Sequence, residues 1–145
     1  MSKFRKTALW IGIVIVVLIV LPFAFMILVF ERWPTHDQAL LKAINVESRI
    51  LMAKKFTTTN TYSEDANYVF ESGEINVPRR QWPHAIASLS PRFVSVYPGH
   101  SVDITTEIFF DGGWGYHIQP GDKKPPEPSG RFEYLGEDVY WWHPY

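Results

Sequence analysis

Cysteine is absent from the 145 residues. Its absence excludes disulfides, thiolate catalysis and cysteine-ligated metals, without fixing a redox compartment. No Asn-x-Ser/Thr sequon occurs. Charge of one sign is lacking too: 14 Lys and Arg stand against 15 Asp and Glu, a formal net charge of −1. A balance so even gives no electrostatic footprint for nucleic acid. The histidines, His36, His84, His100, His117 and His143, show neither His-x-His nor His-Glu-x-x-His spacing, so no metal or cofactor is expected. A Gly-x-Ser-x-Gly elbow and a phosphate-cradling glycine loop are both missing.

What the chain does have is a long apolar run. Residues 8–30, ALWIGIVIVVLIVLPFAFMILVF, carry no charge and include 17 Leu, Ile, Val or Phe. As a helix the run would be about 34 Å long, against a hydrocarbon core of about 30 Å. Those 17 side chains favour insertion by about 5–10 kcal/mol. A cleaved signal peptide would have a shorter apolar region and small residues before its cleavage site, where this chain has large ones. The run predicts one transmembrane helix, with Pro22 tolerated inside it and Trp10 and Trp33 near its two ends. Lys3, Arg5 and Lys6 precede it, so the positive-inside rule makes 1–7 a cytoplasmic N-terminus and 31–145 an extracytoplasmic domain. This predicts a single-pass protein of the inner (plasma) membrane, with the lipid bilayer as a partner through residues 8–30 and the domain in the periplasm or outside the cell. That domain holds 11 basic and all 15 acidic residues, a formal charge of −4.

About 115 residues suffice for one domain. The signal WPTHD predicts a juxtamembrane helix capped by Thr35 or Asp37 and ending near Lys54. At 100° per residue Leu40, Ala43, Ile44, Val46, Ile50 and Leu51 share a face. Glu47 falls within that stripe, either at its edge or in an ion pair, or as a buried carboxylate with a raised pKa. Residues 57–67 read as a polar loop, followed by short extended pieces at Tyr68–Phe70 and Ile75–Val77. Pro83 can open a short helix whose one face holds Trp82, Ala85, Ile86 and Leu89, leaving His84 opposite. Strands are expected at Phe93–Tyr97, Val102–Phe110 and Trp114–Ile118, with further extended segments at Phe132–Leu135 and Val139–Trp142. A three-residue Pro-Gly-His loop pairs Val96 with Val102 and Val94 with Ile104. A three-residue Asp-Gly-Gly loop with Gly113 in the left-handed region would pair Phe110 with Trp114, Ile108 with Tyr116 and Glu107 with His117. Pro125-x-x-Pro128 lies in a proline-rich loop and matches a common chance pattern.

The stretch Val77–Val94 reads apolar-Pro-x-x-x-Trp-Pro-x-Ala-Ile-x-x-Leu-x-Pro-x-x-Val. It resembles a pattern in small membrane-anchored bacterial proteins of unknown function, in which an N-terminal anchor precedes a compact domain of several short strands. The resemblance covers about twenty residues well and implies architecture alone: Trp82, Ile86 and Leu89 pack a short helix onto the sheet.

Candidate chemistry is thin. Glu107 and His117 would form a carboxylate–imidazole pair, half of an acid–base site, and equally an ordinary cross-strand pair. Arg79, Arg80 and His84 could bind an anion or form a solvated helix face. Phe132, Tyr134, Tyr140, Trp141, Trp142 and Tyr145 crowd the C-terminus. In a strand Tyr140 and Trp142 face one way and Trp141 the other, so one aromatic face fills the core and the other meets water, a loop, lipid or a partner. Tyr140, Trp141 and Trp142 are the candidate partner surface.

These readings combine into an α+β fold: one N-terminal transmembrane helix, then a juxtamembrane helix, a short helix and an antiparallel sheet of about four strands. The expected function is a non-enzymatic interaction or accessory module of the cell envelope with a membrane or envelope protein as partner. The alternative is a small hydrolase or ligand-binding protein using Glu107 and His117.

Overall fold

The computed structural model describes residues 14–22, 24, 33–59, 66–109, 112–121 and 129–143. The chain divides into two units, Met1–Trp33 and Pro34–Tyr145. In the first, residues 14–22 are helical and form α1.

Among the described residues no helix is long and apolar enough to cross a membrane. This corrects the single transmembrane helix expected over 8–30. It also removes the helix on which the single-pass topology, the bilayer contact and the inner-membrane localisation rested. The apolarity of a run records what each side chain gains in lipid. A span needs, in addition, one continuous helix of about 20 residues. Residues 1–7, the rest of 8–30 (Trp10 included), the Pro125-x-x-Pro128 match and Tyr145 lie outside the described residues.

In the second unit Asp37 opens the long helix α2, Gln38–Ala53. Its Oδ1 accepts from the backbone N–H of Ala39 (2.9 Å) and Leu40 (3.4 Å), satisfying orphan donors of the first turn. The helix ends at Lys54, as its pattern predicts. Its buried face differs from the expected one and comprises Leu41, Ile44, Asn45, Ser48, Leu51 and Met52, while Val46 and Ile50 are exposed. Two polar residues hid this stripe. Asn45 donates to the Glu137 carbonyl and accepts from Arg49 Nε (2.7 Å), so its burial is matched by hydrogen bonds.

Among the described residues the sheet has eight strands: β1 Thr58–Thr59, β2 Asn67–Val69, β3 Ile75–Asn76, β4 Phe93–Tyr97, β5 Ser101–Phe109, β6 Gly112–Ile118, β7 Phe132–Gly136 and β8 Val139–Trp142. Their spatial order is β1-β2-β3-β4-β5-β6-β8-β7. The β1–β2 pair is parallel and every other pair antiparallel. A mixed sheet of eight strands therefore replaces the four-stranded antiparallel one expected. Strands of two or three residues, β1 to β3, are too short for alternation to register in the sequence. The β4–β5 hairpin keeps the predicted register, Val94 opposite Ile104 and Val96 opposite Val102.

One face of the sheet packs on α2 and on the short helix α3, His84–Ser88. Leu41, Ile44, Ile86, Val94, Val96, Val102, Ile104, Ile118 and Val139 are fully enclosed there. Trp82 borders this core and donates from Nε1 to the Val77 carbonyl (2.7 Å), which ties the turn before α3 to the end of β3.

The residue before α3 is Pro83, which has no side-chain acceptor for the helix N-terminus. Glu47 of α2 fills that role. Its two oxygens accept from the backbone N–H of Ala85 (3.0 Å) and Ile86 (3.0 Å). Glu47→Ala should therefore cost about 1–2 kcal/mol, the scale of a lost cap, and Glu47→Gln, which keeps one acceptor, roughly half of that. Urea midpoints and amide exchange at Ala85 and Ile86 measure both effects. Unchanged exchange at those two amides in Glu47→Ala would show that the carboxylate does not cap α3.

Candidate functional site

Among the described residues no helix packs on the second face of the sheet, to which strand alternation directs polar and aromatic side chains. Three cross-strand pairings align Ser95, Asp103, His117 and Tyr140 in one row across β4, β5, β6 and β8. The adjacent row runs Phe93, Thr105, Gly115, Trp142 and Phe132. Between these rows and the ends of β3 and β4 lies a cavity of about 500 Å³, lined by Glu74, Tyr97, Asp103, His117, Phe132 and Trp142 among others.

His117 forms its floor and is 4% exposed. Its Nδ1 lies 2.5 Å from Asp103 Oδ1 and its Nε2 3.1 Å from Gln119 Oε1. Both ring nitrogens thus face acceptors, the arrangement of an imidazolium that donates twice. Burial pulls the His117 pKa down, but hydrogen bonding and charge from Asp103, with a smaller contribution from Gln119, outweigh it and leave the pKa raised. The edge of Phe132 (5.5 Å between ring centres) and the tilted ring of Tyr140 (6.4 Å) complete the surround.

On the opposite wall Tyr97 donates to Glu74 Oε2 (3.0 Å). Burial, that hydrogen bond and the carboxylate charges of Glu74 and Asp103 push the phenol to about 12, so it stays a neutral donor. Trp142 forms the remaining aromatic wall. Its ring lies against Gly113 and Gly115, where side chains would collide with it. Its Nε1 is buried and has no hydrogen-bond partner among the described residues.

The β5–β6 register differs from the expected one. Asp103 stands opposite His117, and Glu107 stands opposite Trp114 beyond a bulge at Thr106. Thr106 Oγ1 donates to the Trp114 carbonyl (3.1 Å), which fixes the bulge. Glu107 approaches Arg92 (3.9 Å), so the Glu107–His117 candidate pair is not assembled. Gly113, expected in a left-handed loop position, lies within β6.

The aromatic candidates separate. Trp141 is 5% exposed and sits in the core, edge-to-face with Tyr116 at 5.0 Å. Trp142 and Tyr140 lie on the open face, both half-buried. The three therefore do not form one partner surface. Arg79, Arg80 and His84 are exposed beside and on α3, away from the cavity. Among the described residues no three His, Asp or Glu side chains converge as a metal set. Asp103, Gln119 and Glu74 were not singled out in the sequence. The acidic Asp103 at the same strand parity as Glu107 was the available signal.

Comparison with known protein families, curated proteins and solved structures finds no match to this chain.

Proposed function

We propose that this chain is a non-catalytic binding module that holds a small ligand in the cavity on the open face of the sheet. The observation that carries this reading is the closed chain Asp103–His117–Gln119 on the cavity floor. A general base needs a free ring nitrogen within reach of its substrate. Here both nitrogens are engaged, so His117 acts as a fixed support. The volume lies inside the range of about 300–1,000 Å³ usual for small-molecule sites, and the lining combines apolar walls with a few convergent polar groups.

A protein partner on the same face is the second reading. Tyr134 of the edge strand β7 favours it, because it is 60% exposed and lies 5.1 Å from the Tyr140 ring.

Screening the isotope-labelled full chain against a library of small polar fragments by two-dimensional NMR separates the two. The expected result is saturable shifts at Asp103, His117 and the Trp142 indole, abolished by Ser95→Trp, which would fill the cavity from β4. A well-dispersed spectrum of that variant would show that it folds. Absence of cavity shifts across the library would overturn the ligand reading. Line broadening confined to Tyr134 and Tyr140 on mixing with a cell extract would move the balance to a protein partner.

A further inference from the structure

Resting on the cavity being a binding site, we infer that its ligand is a small organic cation that donates hydrogen bonds, an ammonium or guanidinium group on a short carbon skeleton. The charges of the lining set the sign. Two carboxylates, Glu74 and Asp103, line the cavity. Asp103 Oδ1 lies 2.5 Å from His117 Nδ1, so an imidazolium there cancels the Asp103 charge. Glu74 has no such neighbour among the described residues, since Tyr97, which donates to its Oε2 (3.0 Å), is a neutral phenol. The Glu74 charge is left over with His117 protonated, and both carboxylate charges with it neutral. His100 is the other lining ring that can carry positive charge, and its Nδ1 lies 3.2 Å from Ser101 Oγ rather than beside a carboxylate.

The two carboxylates bear on one spot. Burial does most to raise the Tyr97 pKa, and the hydrogen bond to Glu74 and the charges of Glu74 and Asp103 add to it. The space beside that phenol therefore disfavours a further negative charge and favours a positive one.

Hydrogen-bonding capacity narrows the class. Glu74 uses Oε2 for Tyr97 and Asp103 uses Oδ1 for His117, so each keeps an oxygen that accepts. The Tyr97 oxygen, having donated its hydrogen, can accept as well. Both His117 nitrogens are engaged, so that ring has no donor left to offer. A wall of this kind asks its ligand for N–H groups. An ammonium or a guanidinium is made of donors alone, whereas a carboxylate only accepts and a hydroxyl leaves the charge unmet. The cavity of about 500 Å³, walled in part by Phe132 and Trp142, also leaves room for carbon beside the charged end.

The test titrates the labelled full chain at low ionic strength with probes of one chain length: n-butylammonium, n-butylguanidinium, n-butyltrimethylammonium, 1-butanol and butyrate. The first two should shift the Glu74, Tyr97 and Asp103 amides saturably, and butanol and butyrate should not. Butyltrimethylammonium keeps the charge and loses the donors, so it should bind at least about threefold more weakly than butylammonium. Glu74→Gln keeps the shape and removes the uncancelled charge, so affinity for butylammonium should fall about tenfold. His100→Gln removes a ring able to oppose a cation and should leave that affinity unchanged or higher. Butanol or butyrate bound in place of the cations overturns the class and leaves the binding site standing. So does a library in which fragments bind there while every probe fails. A Glu74→Gln protein that holds butylammonium as tightly as the parent overturns the charge argument, and equal affinity for butyltrimethylammonium overturns the need for donors. If neither fragments nor probes touch the cavity, both readings fall together.

Discussion

Asp103→Asn is expected to lower stability at neutral pH by about 2–3 kcal/mol and to reverse the pH dependence that His117 contributes. Removing one partner of a buried pair costs about 3–5 kcal/mol, because the other group stays behind uncompensated. His117 is 5% exposed at its side chain while Asp103 is 32% exposed, so water at the Asp103 side trims that figure. The sign of the pH effect follows from linkage. In the native protein His117 has a folded pKa above its unfolded value of 6.5. Its contribution is therefore complete below about pH 6.5 and is lost as pH rises through the raised folded value. In Asp103→Asn the groups that raise the pKa are gone apart from Gln119, and burial, the largest single influence, dominates. The folded pKa then drops below 6.5, and the variant loses stability as pH falls through that region. Urea unfolding at several values between pH 5 and 9 reads both slopes. Parallel curves for the two proteins would mean that Asp103 does not hold the His117 proton.

That pair also shows where the sequence stops being legible. Asp103-Ile104 and Glu107-Ile108 repeat the same acidic–apolar step four residues apart. A slip of four positions along β5 keeps acidic residues on one face and isoleucines on the other, so period-two alternation cannot choose between registers. Tyr116 finds an isoleucine opposite in either case, Ile108 in the expected register and Ile104 in the observed one. Three positions of the slip arise because Phe109 pairs with Gly112, so the hairpin turns before Gly112 and Gly113. The fourth is the bulge at Thr106, which nothing in local composition announces.

Elsewhere local signals sufficed. The helix cap, narrowed to Thr35 or Asp37 and found at Asp37, the turn at Pro98-Gly99 and Trp82 as the anchor of a short helix are each decided within a few residues. The buried face of α2 was not legible, because Asn45 is buried through a partner 92 positions away. A cavity is harder still. It needs β3, β4, β5, β6, β7 and β8 in register at once, and one hairpin error disperses it.

Gly115→Ala is expected to be the most damaging single methyl in the domain, at about 3 kcal/mol, although the residue has an ordinary backbone conformation. A Cβ there would lie 2.0 Å from the Ile104 carbonyl oxygen and 2.9 Å from both the Ile104 carbonyl carbon and Trp142 Nε1. The indole can swing aside, but the carbonyl belongs to the neighbouring strand and cannot. Relief requires β5 and β6 to part beside the bulge, where Thr106 holds them, and overpacking of this kind costs about 1–3 kcal/mol with blocked backbone at the upper end. Gly113→Ala meets the Glu107 carbonyl oxygen at 2.5 Å and the Trp142 ring at 3.2 Å, and should cost somewhat less. Gly130 supplies the control, since a Cβ there touches nothing within 4 Å, and Gly130→Ala should stay within about 0.5 kcal/mol of the parent. Denaturant midpoints rank the three variants. The Trp142 indole signal supplies a readout that stability alone would not move, because only the β6 substitutions press on that ring. A Gly115→Ala protein as stable as Gly130→Ala, with its indole signal in place, would show that β5 and β6 are not in this register and would remove the floor on which the cavity stands.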